Sequence, residues 1–251
     1  MYTITTSLRE EEGLVKEAKD LAAIYDLHYV PRHKTSLMAL AKGDQGLFVL
    51  NKEGLSFSWK TGERLFFHPD TAVLRYKAPY DPLLDWVGER PKSVLDVTLG
   101  LASDSLLLAR AGHQVVGLES ERVIYLVTSY GLKHYPFFDV GWQESSARIT
   151  CLHKDNLAYM REIPDKTYDI IYLDPMFVEK IRASNNLAGL YPLANTWRPD
   201  EAWLEEAKRI TKEAIILKAH FRDSIFEDLG FKRQRRPNQL FHYGILISEL
   251  F

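Results

Sequence analysis

The sequence predicts an α/β protein: a mostly parallel sheet with helices on both faces, a C-terminal antiparallel hairpin and a small N-terminal α+β extension. Three observations predict it. From about residue 80, short strand-like runs alternate with helical patterns, as parallel strands joined by crossover helices do. The strand candidates SVLDV (93–97) and YDIIYL (168–173) are largely apolar, as strands covered on both faces are. The chain has 251 residues, 46% hydrophobic and 26% charged, so it holds enough apolar surface for a large core and is not disordered.

The elements follow in order. Residues 8–27 place Leu14, Ala18, Leu21, Ala22 and Tyr25 at helical spacing. Over 35–60 the short runs SLMALAK, GLFVLNK and GLSFSWK, separated by Gly-Asp-Gln-Gly and Lys-Glu-Gly turns, read as a small antiparallel meander. Residues 60–77 show no clear period. The expected boundary puts the extension at 1–78 and the main domain at 79–251. In that domain helices are expected at Tyr80–Glu89, Asp104–Arg110, Arg122–Leu132, Leu157–Ile163 and Asp200–Thr211. Strands are expected at Ser93–Val97, Gln114–Leu118, Arg148–Leu152, Tyr168–Leu173 and Glu213–Lys218. Asp81-Pro82 opens the first helix, and Ala111-Gly112 ends the second. Phe231–Arg236 and Phe241–Ser248 make the terminal hairpin.

Charge and cysteine use narrow the function. Lys plus Arg is 32 and Asp plus Glu is 34, so nucleic-acid contact must come from a local patch. Cys151 is the only cysteine, which excludes an intrachain disulfide and a cysteine-based zinc site. The histidines show no metal-ligand spacing, and no metal is expected. No apolar run reaches membrane-spanning length and the first residues lack a signal-peptide core, so the expectation is a cytoplasmic protein without a membrane partner.

Ligands of such sheets bind beyond the carboxyl ends of the strands. The first strand runs into Asp96-Val97-Thr98-Leu99-Gly100-Leu101-Ala102-Ser103-Asp104. The dinucleotide pattern G-x-G-x-x-G is absent, and an acid before the glycine suits a cationic amino-acid group better than a pyrophosphate. Asp104 also reads as a plain helix cap. Glu119, followed by Ser120, ends the second strand 23 residues after Asp96, where a carboxylate accepts from ribose hydroxyls. Asp155 and Asn156 follow the third strand, with an adenine amine or the next helix N-terminus as partner for Asp155. The fourth ends in Asp174-Pro175-Met176-Phe177, a carboxylate, freed carbonyls and an aromatic face that together suit a planar base with an exocyclic amine.

These residues resemble the class I S-adenosylmethionine-dependent methyltransferases, with a Rossmann-like sheet. Asp96-x-Thr98-x-Gly100-Leu101-x-x-Asp104, Leu118-Glu119 and Asp-Pro-Met-Phe at 174–177 most resemble the ribosomal small-subunit methyltransferase J family, which methylates guanine N2 in rRNA. The chain departs from that family's pattern at Ala102, Ser103 and Val178. The resemblance implies S-adenosylmethionine as cofactor, held by Asp96, Thr98, Gly100, Leu101, Asp104, Glu119, Ser120, Asp155, Asn156 and Asp174. It implies Asp174, Pro175, Met176 and Phe177 as the catalytic turn. It implies Lys180, Arg182, Arg75 and Lys218 on the substrate side and rRNA or the ribosomal particle as partner; the sequence leaves a homodimer open. Two basic clusters fit RNA: Lys232, Arg233, Arg235 and Arg236, and Lys60, Arg64, His68, Arg75 and Lys77 among Trp59, Phe66, Phe67 and Tyr76. Transfer to another amine (a DNA or RNA adenine, or a protein amide) and a non-catalytic binding module are the competing readings.

Overall fold

The structure is a computed structural model that describes residues 2–41, 45–175, 193 and 197–248. By contacts the chain divides into two compact units. The first holds the residues up to His68 and takes in Leu126–Pro136. The second holds Pro69–Tyr125 and most of the chain from Phe137 on. The second unit thus begins at Pro69, ten residues before the boundary expected from the sequence.

The first unit contains β1 (Thr3–Thr6), α1 (Glu12–Ile24), β2 (His28–Tyr29), α2 (Leu37–Leu40), β3 (Gly46–Asn51), β4 (Gly54–Trp59) and β5 (Arg64–Phe66). Its sheet runs β2-β1-β3-β4-β5. Strands β2 and β3 both lie parallel to β1, and β3, β4 and β5 are antiparallel in turn. Two expectations change. The run SLMALAK forms the short helix α2 instead of a strand, because the Ser36 hydroxyl accepts from the amide of Ala39 and caps it. The sheet is mixed instead of a plain meander, because β1, unforeseen in the sequence, pairs parallel between β2 and β3. Phe48 and Phe57 face each other across β3 and β4 with ring centroids 5.0 Å apart, which fixes the register of that pair.

The second unit carries α3 (Asp70–Tyr76), α4 (Pro82–Val87), β6 (Ser93–Asp96), α5 (Ser103–Arg110) and β7 (Gln114–Glu119). Then come α6 (Arg122–His134), which runs on into the residues of the first unit, α7 (Val140–Ala147), β8 (Ile149–His153), α8 (Asn156–Glu162) and β9 (Tyr168–Leu173). It ends with α9 (Glu201–Ile210), β10 (Thr211–His220), α10 (Ile225–Asp228), β11 (Lys232–Gln234) and β12 (Phe241–Ile247). The sheet order is β11-β12-β10-β9-β6-β7-β8. The strands from β8 to β10 are parallel, and the terminal hairpin adds β12 antiparallel to β10.

Alternation along each strand divides this unit's core. Leu95, Ile171, Leu173, Ile215 and Leu217 pack against Met160, Trp203, Leu204 and Phe226. Their neighbours Val94, Ile170, Tyr172 and Ile216 point the other way, toward Leu83, Val87 and Leu108. Both faces are therefore buried. The helix at 70–76 lies in the stretch without a clear period, and its buried face is only Ala72 and Val73. The chain leaves β6 for β7 and β8, then returns to β9 on the other side of β6. That reversal opens the ligand crevice of open α/β sheets beyond the ends of β6 and β9.

Candidate functional site

The backbone frame of that crevice comes from the ends of β6, β7 and β9. The amide of Val97 donates to the carbonyl of Tyr172 at 3.0 Å, carrying the β6–β9 pairing one residue past the strand. The amide of Leu99 donates to the carbonyl of Leu118 at 3.0 Å, so the same loop is also tied to β7. Gly100 turns with φ of +52° and Ala102 with φ of +60°, which aims the chain into α5. Gly117 in β7 lets this loop lie close: a Cβ there would collide with the Leu99 side chain.

Asp96 is 1% exposed. Its Oδ1 accepts from the Thr98 amide at 3.0 Å, and its Oδ2 accepts from the Ser105 hydroxyl at 2.6 Å. Burial pushes its carboxyl up to about 7; the Ser105 and Thr98 hydrogen bonds oppose that, and Asp104 and Asp174 add to it. Asp96 therefore braces the loop from beneath. Glu119 accepts from the Gly100 amide at 3.1 Å and from the Glu121 amide at 2.8 Å. Burial pushes it up to about 7 against those two bonds. Each oxygen keeps acceptor capacity for a further donor.

Asp155 is exposed and caps α8, accepting from the Ala158 amide at 2.9 Å. Asn156 Oδ1 beside it is buried and has no hydrogen-bond partner in the structure. The Ser120 carbonyl lies 3.1 Å from His153 Nε2. Leu101 is buried, so it contributes packing. Asp174, at the end of β9, donates its amide to Thr98 Oγ1 at 2.7 Å. Pro175 beside it is half-buried. Met176, Phe177, Lys180 and Arg182 lie outside the described residues.

The other two residues expected on the substrate side, Arg75 and Lys218, meet two of the expected acids in a buried network. Lys218 Nζ donates to Asp174 Oδ2 at 2.6 Å and to Asp104 Oδ2 at 3.0 Å. Arg75 binds the other oxygen of Asp104, and pairs with Asp81 at 2.8 Å and with the Tyr243 hydroxyl at 3.0 Å. Burial disfavours the charge on Asp104, yet Lys218 and then Arg75 hold its carboxyl well below the usual range. Burial raises Asp174, with Lys218 opposing and Asp104 adding to the rise. Burial opposes the charge on Lys218, and Asp104 and Asp174 override it to push that amine above its usual value. Ser105 and Tyr243 were missed from the sequence, and Asp81 was read there only as the opening of a helix. They sit on separate elements at no fixed spacing. A serine inside the apolar run SDSLLLA was the one available signal.

The basic clusters divide. Arg233 is spent inside the terminal hairpin, on His242 Nδ1 at 3.1 Å and on the Phe221 carbonyl, whereas Lys232 and Arg235 are exposed. Trp59 and Phe67 are core residues of the first unit, so they offer no face for base stacking. Burial pushes the Cys151 thiol up to about 12, which leaves it unreactive near neutral pH.

Known proteins resemble this chain. The family described as "Putative SAM-dependent methyltransferase" matches residues 84–219, more than half of the chain. The protein YpiP of Bacillus subtilis (strain 168) is 32% identical over 252 residues, covering 97% of this chain and 98% of its own. The ribosomal RNA small subunit methyltransferase J of Pectobacterium atrosepticum is 30% identical over 130 residues, and the match spans about half of each protein, 50% of this chain and 51% of that one. A crystal structure of a SAM-dependent methyltransferase from Neisseria gonorrhoeae superposes with a TM-score of 0.64 at 16% identity, covering 98% of this chain and 96% of that one, a likeness of fold. With the family model matching more than half of its length, the chain belongs to the SAM-dependent methyltransferases, and S-adenosylmethionine is its cofactor.

Proposed function

We propose that this methyltransferase transfers its methyl group to the exocyclic N2 amine of a guanine in small-subunit rRNA. The observation that carries the reading is the placement of Asp174-Pro175 at the end of β9, across the crevice from the Gly100 loop and tied to it through Thr98. Similarity to ribosomal RNA small subunit methyltransferase J proteins supports rRNA as the target, and the resemblance of the strand-end motifs to that family implies the guanine.

The residues fit the cofactor. Glu119 keeps lone pairs for two ribose hydroxyls. Asn156 Oδ1, buried and unpartnered, is an acceptor that an adenine amine satisfies, with Asp155 at the rim. The amides and carbonyls around Gly100 receive the amino-acid end, with Asp96 bracing the loop. When bound, S-adenosylmethionine supplies an electrophilic sulfonium methyl.

Asp174 and the Pro175 carbonyl accept the two hydrogens of the target amine, which turns its lone pair toward the methyl carbon. Glu119, Asn156 and the Gly100 loop would hold the cofactor that supplies the methyl to that nitrogen and keeps the sulfur bonding pair as a neutral thioether. The excess proton on nitrogen passes to the Asp174 carboxylate and then to water. Catalysis is positioning and electrostatics. Phe177 supplies the stacking face, and Lys180 and Arg182 the phosphate contacts.

The test is methyl transfer from labelled S-adenosylmethionine to total RNA and to small ribosomal subunits from cells lacking the protein, followed by nucleoside mass spectrometry. N2-methylguanosine, lost with Asp174→Ala, is the expected product. Methyladenine or methylated protein as the only product overturns the guanine assignment.

A further inference from the structure

The proposed transfer asks Asp174 to do two things at once. It must be ionised to accept an amine hydrogen, and it must present one oxygen in a fixed direction. Its surroundings oppose the first demand. It is the third carboxylate in a small space, with Asp104 on α5 and the buried Asp96 at the end of β6. A buried carboxylate among other acids takes up a proton unless a cation intervenes. A protonated carboxyl loses the acceptor this reaction needs.

Lys218, on β10, is that cation. Its side chain is 17% exposed, and two of its hydrogen bonds go to carboxylates, at 2.6 Å to Asp174 and 3.0 Å to Asp104. It also lies 5.6 Å from the centroid of the Phe241 ring. An ammonium so enclosed is a poor ligand for an RNA phosphate. It takes only Oδ2 of Asp174, while the Asp174 main chain is held by Thr98. Asp104 is in turn held on its far oxygen by Arg75 from α3, so the ammonium is anchored on the side away from Asp174.

We propose that Lys218 is a positioning residue for Asp174: anchored by Asp104 and Arg75, it occupies one oxygen of that carboxylate and leaves the other, charged and aimed, for the amine of the methyl acceptor. The inference rests on the reading of Asp174 given above. It assigns Lys218 to the catalytic aspartate and not to the RNA backbone. Among the described residues, the groups that face the pair are Asp104 from α5, Arg75 from α3, Asp96 from β6, Tyr172 from β9 and Tyr243 from β12. Among these described groups Arg75 is the one cation besides Lys218 itself, and it is already shared among Asp81, Asp104 and Tyr243.

The experiment compares wild type with Lys218→Met, Lys218→Gln and Lys218→Arg. Calorimetry with S-adenosylmethionine reports whether each variant is folded and loaded. Carboxyl carbon NMR follows the titration of Asp174, its resonance assigned with Asp174→Asn, and needs no methyl acceptor. Rates on RNA are measured from pH 5 to 9. Lys218→Met is expected to bind S-adenosylmethionine within about threefold of wild type, and to lose on the order of 100-fold in kcat with little change in KM for RNA. The acidic limb of its rate profile and the Asp174 titration both move up by about one pH unit or more. Lys218→Gln, which keeps a donor without charge, shows the same titration shift and recovers part of the rate; it carries the test if the Met variant does not fold. Lys218→Arg restores the acidic limb. An unchanged Asp174 titration in both neutral variants overturns the proposal, as does a raised KM for RNA with kcat unchanged. A wild type that methylates no RNA defeats the rRNA reading alone, since the NMR titration still judges Lys218.

Discussion

The Asp174 amide donates to the Thr98 hydroxyl at 2.7 Å, joining the end of β9 to the loop that follows β6. One hydroxyl thus couples the turn assigned to the methyl acceptor with the loop assigned to the cofactor. Thr98→Val removes the acceptor and keeps the shape. It is expected to cost about 1 kcal/mol in urea unfolding and to slow methyl transfer about tenfold or more by loosening Asp174. Thr98→Ser keeps the bond and stays near wild type in both measurements.

Glu119 gives a pH dependence with a definite sign. Burial raises its carboxyl to about 7 in the folded protein, against about 4.3 in an unfolded chain. Between those values the folded state binds more protons, so this residue makes the protein less stable as pH rises from about 4.3 to 7. Asp96, also raised to about 7, acts in the same window with the same sign. Asp104 is held low, so its stabilising pair is lost only on acidification below the usual carboxylate range. The melting temperature without cofactor is expected to fall from pH 5 to 8, and Glu119→Gln to flatten that slope. Cofactor affinity is expected to rise over the same interval in wild type, because the ionised carboxylate is the better acceptor for ribose hydroxyls; titration calorimetry at pH 5.5, 7 and 8 checks this.

Gly117 is placed where the loop crosses β7, and a Cβ there meets the Leu99 side chain. Gly117→Ala is expected to destabilise by about 1–3 kcal/mol. It should also weaken cofactor binding, since Leu99 and Gly100 move together. Adding Leu99→Ala makes room, so the double variant is expected to recover part of the lost affinity. Additive losses in the double-mutant cycle would contradict the close approach.

Asp155 separates a structural role from a binding one. Its side chain caps α8 by accepting from Ala158. Asp155→Ala is expected to cost about 1 kcal/mol, and Asp155→Asn, which caps as well, close to nothing. If Asp155 also holds adenine, the Asn variant loses S-adenosylmethionine affinity at unchanged stability, which denaturation and calorimetry together resolve.

Several features of this protein were legible along the chain. Strand–helix alternation from residue 80, the terminal hairpin and the acid at each of four strand ends are local patterns, set by side-chain period and turn chemistry. They predicted the parallel sheet and led to the residues around the crevice. Missed elements were those whose local signal is weak. Helix α3 buries only Ala72 and Val73, and β1 reads as TITT, four residues that mark no strand without a partner. The run SLMALAK, apolar and short, became a helix because one serine capped it.

Sequence alone determined the fold class and, through the family resemblance its strand-end motifs carry, the cofactor, because those follow from patterns a few residues long. Only the tertiary structure decided what Arg75 and Lys218 do. Asp104, Asp174 and Lys218 are separated by 70 and 44 residues and converge only when β6, β9 and β10 lie side by side. A lysine in a strand reads the same whether it faces solvent or two carboxylates. Its charge is worth little in water and a great deal when enclosed, and folding decides which.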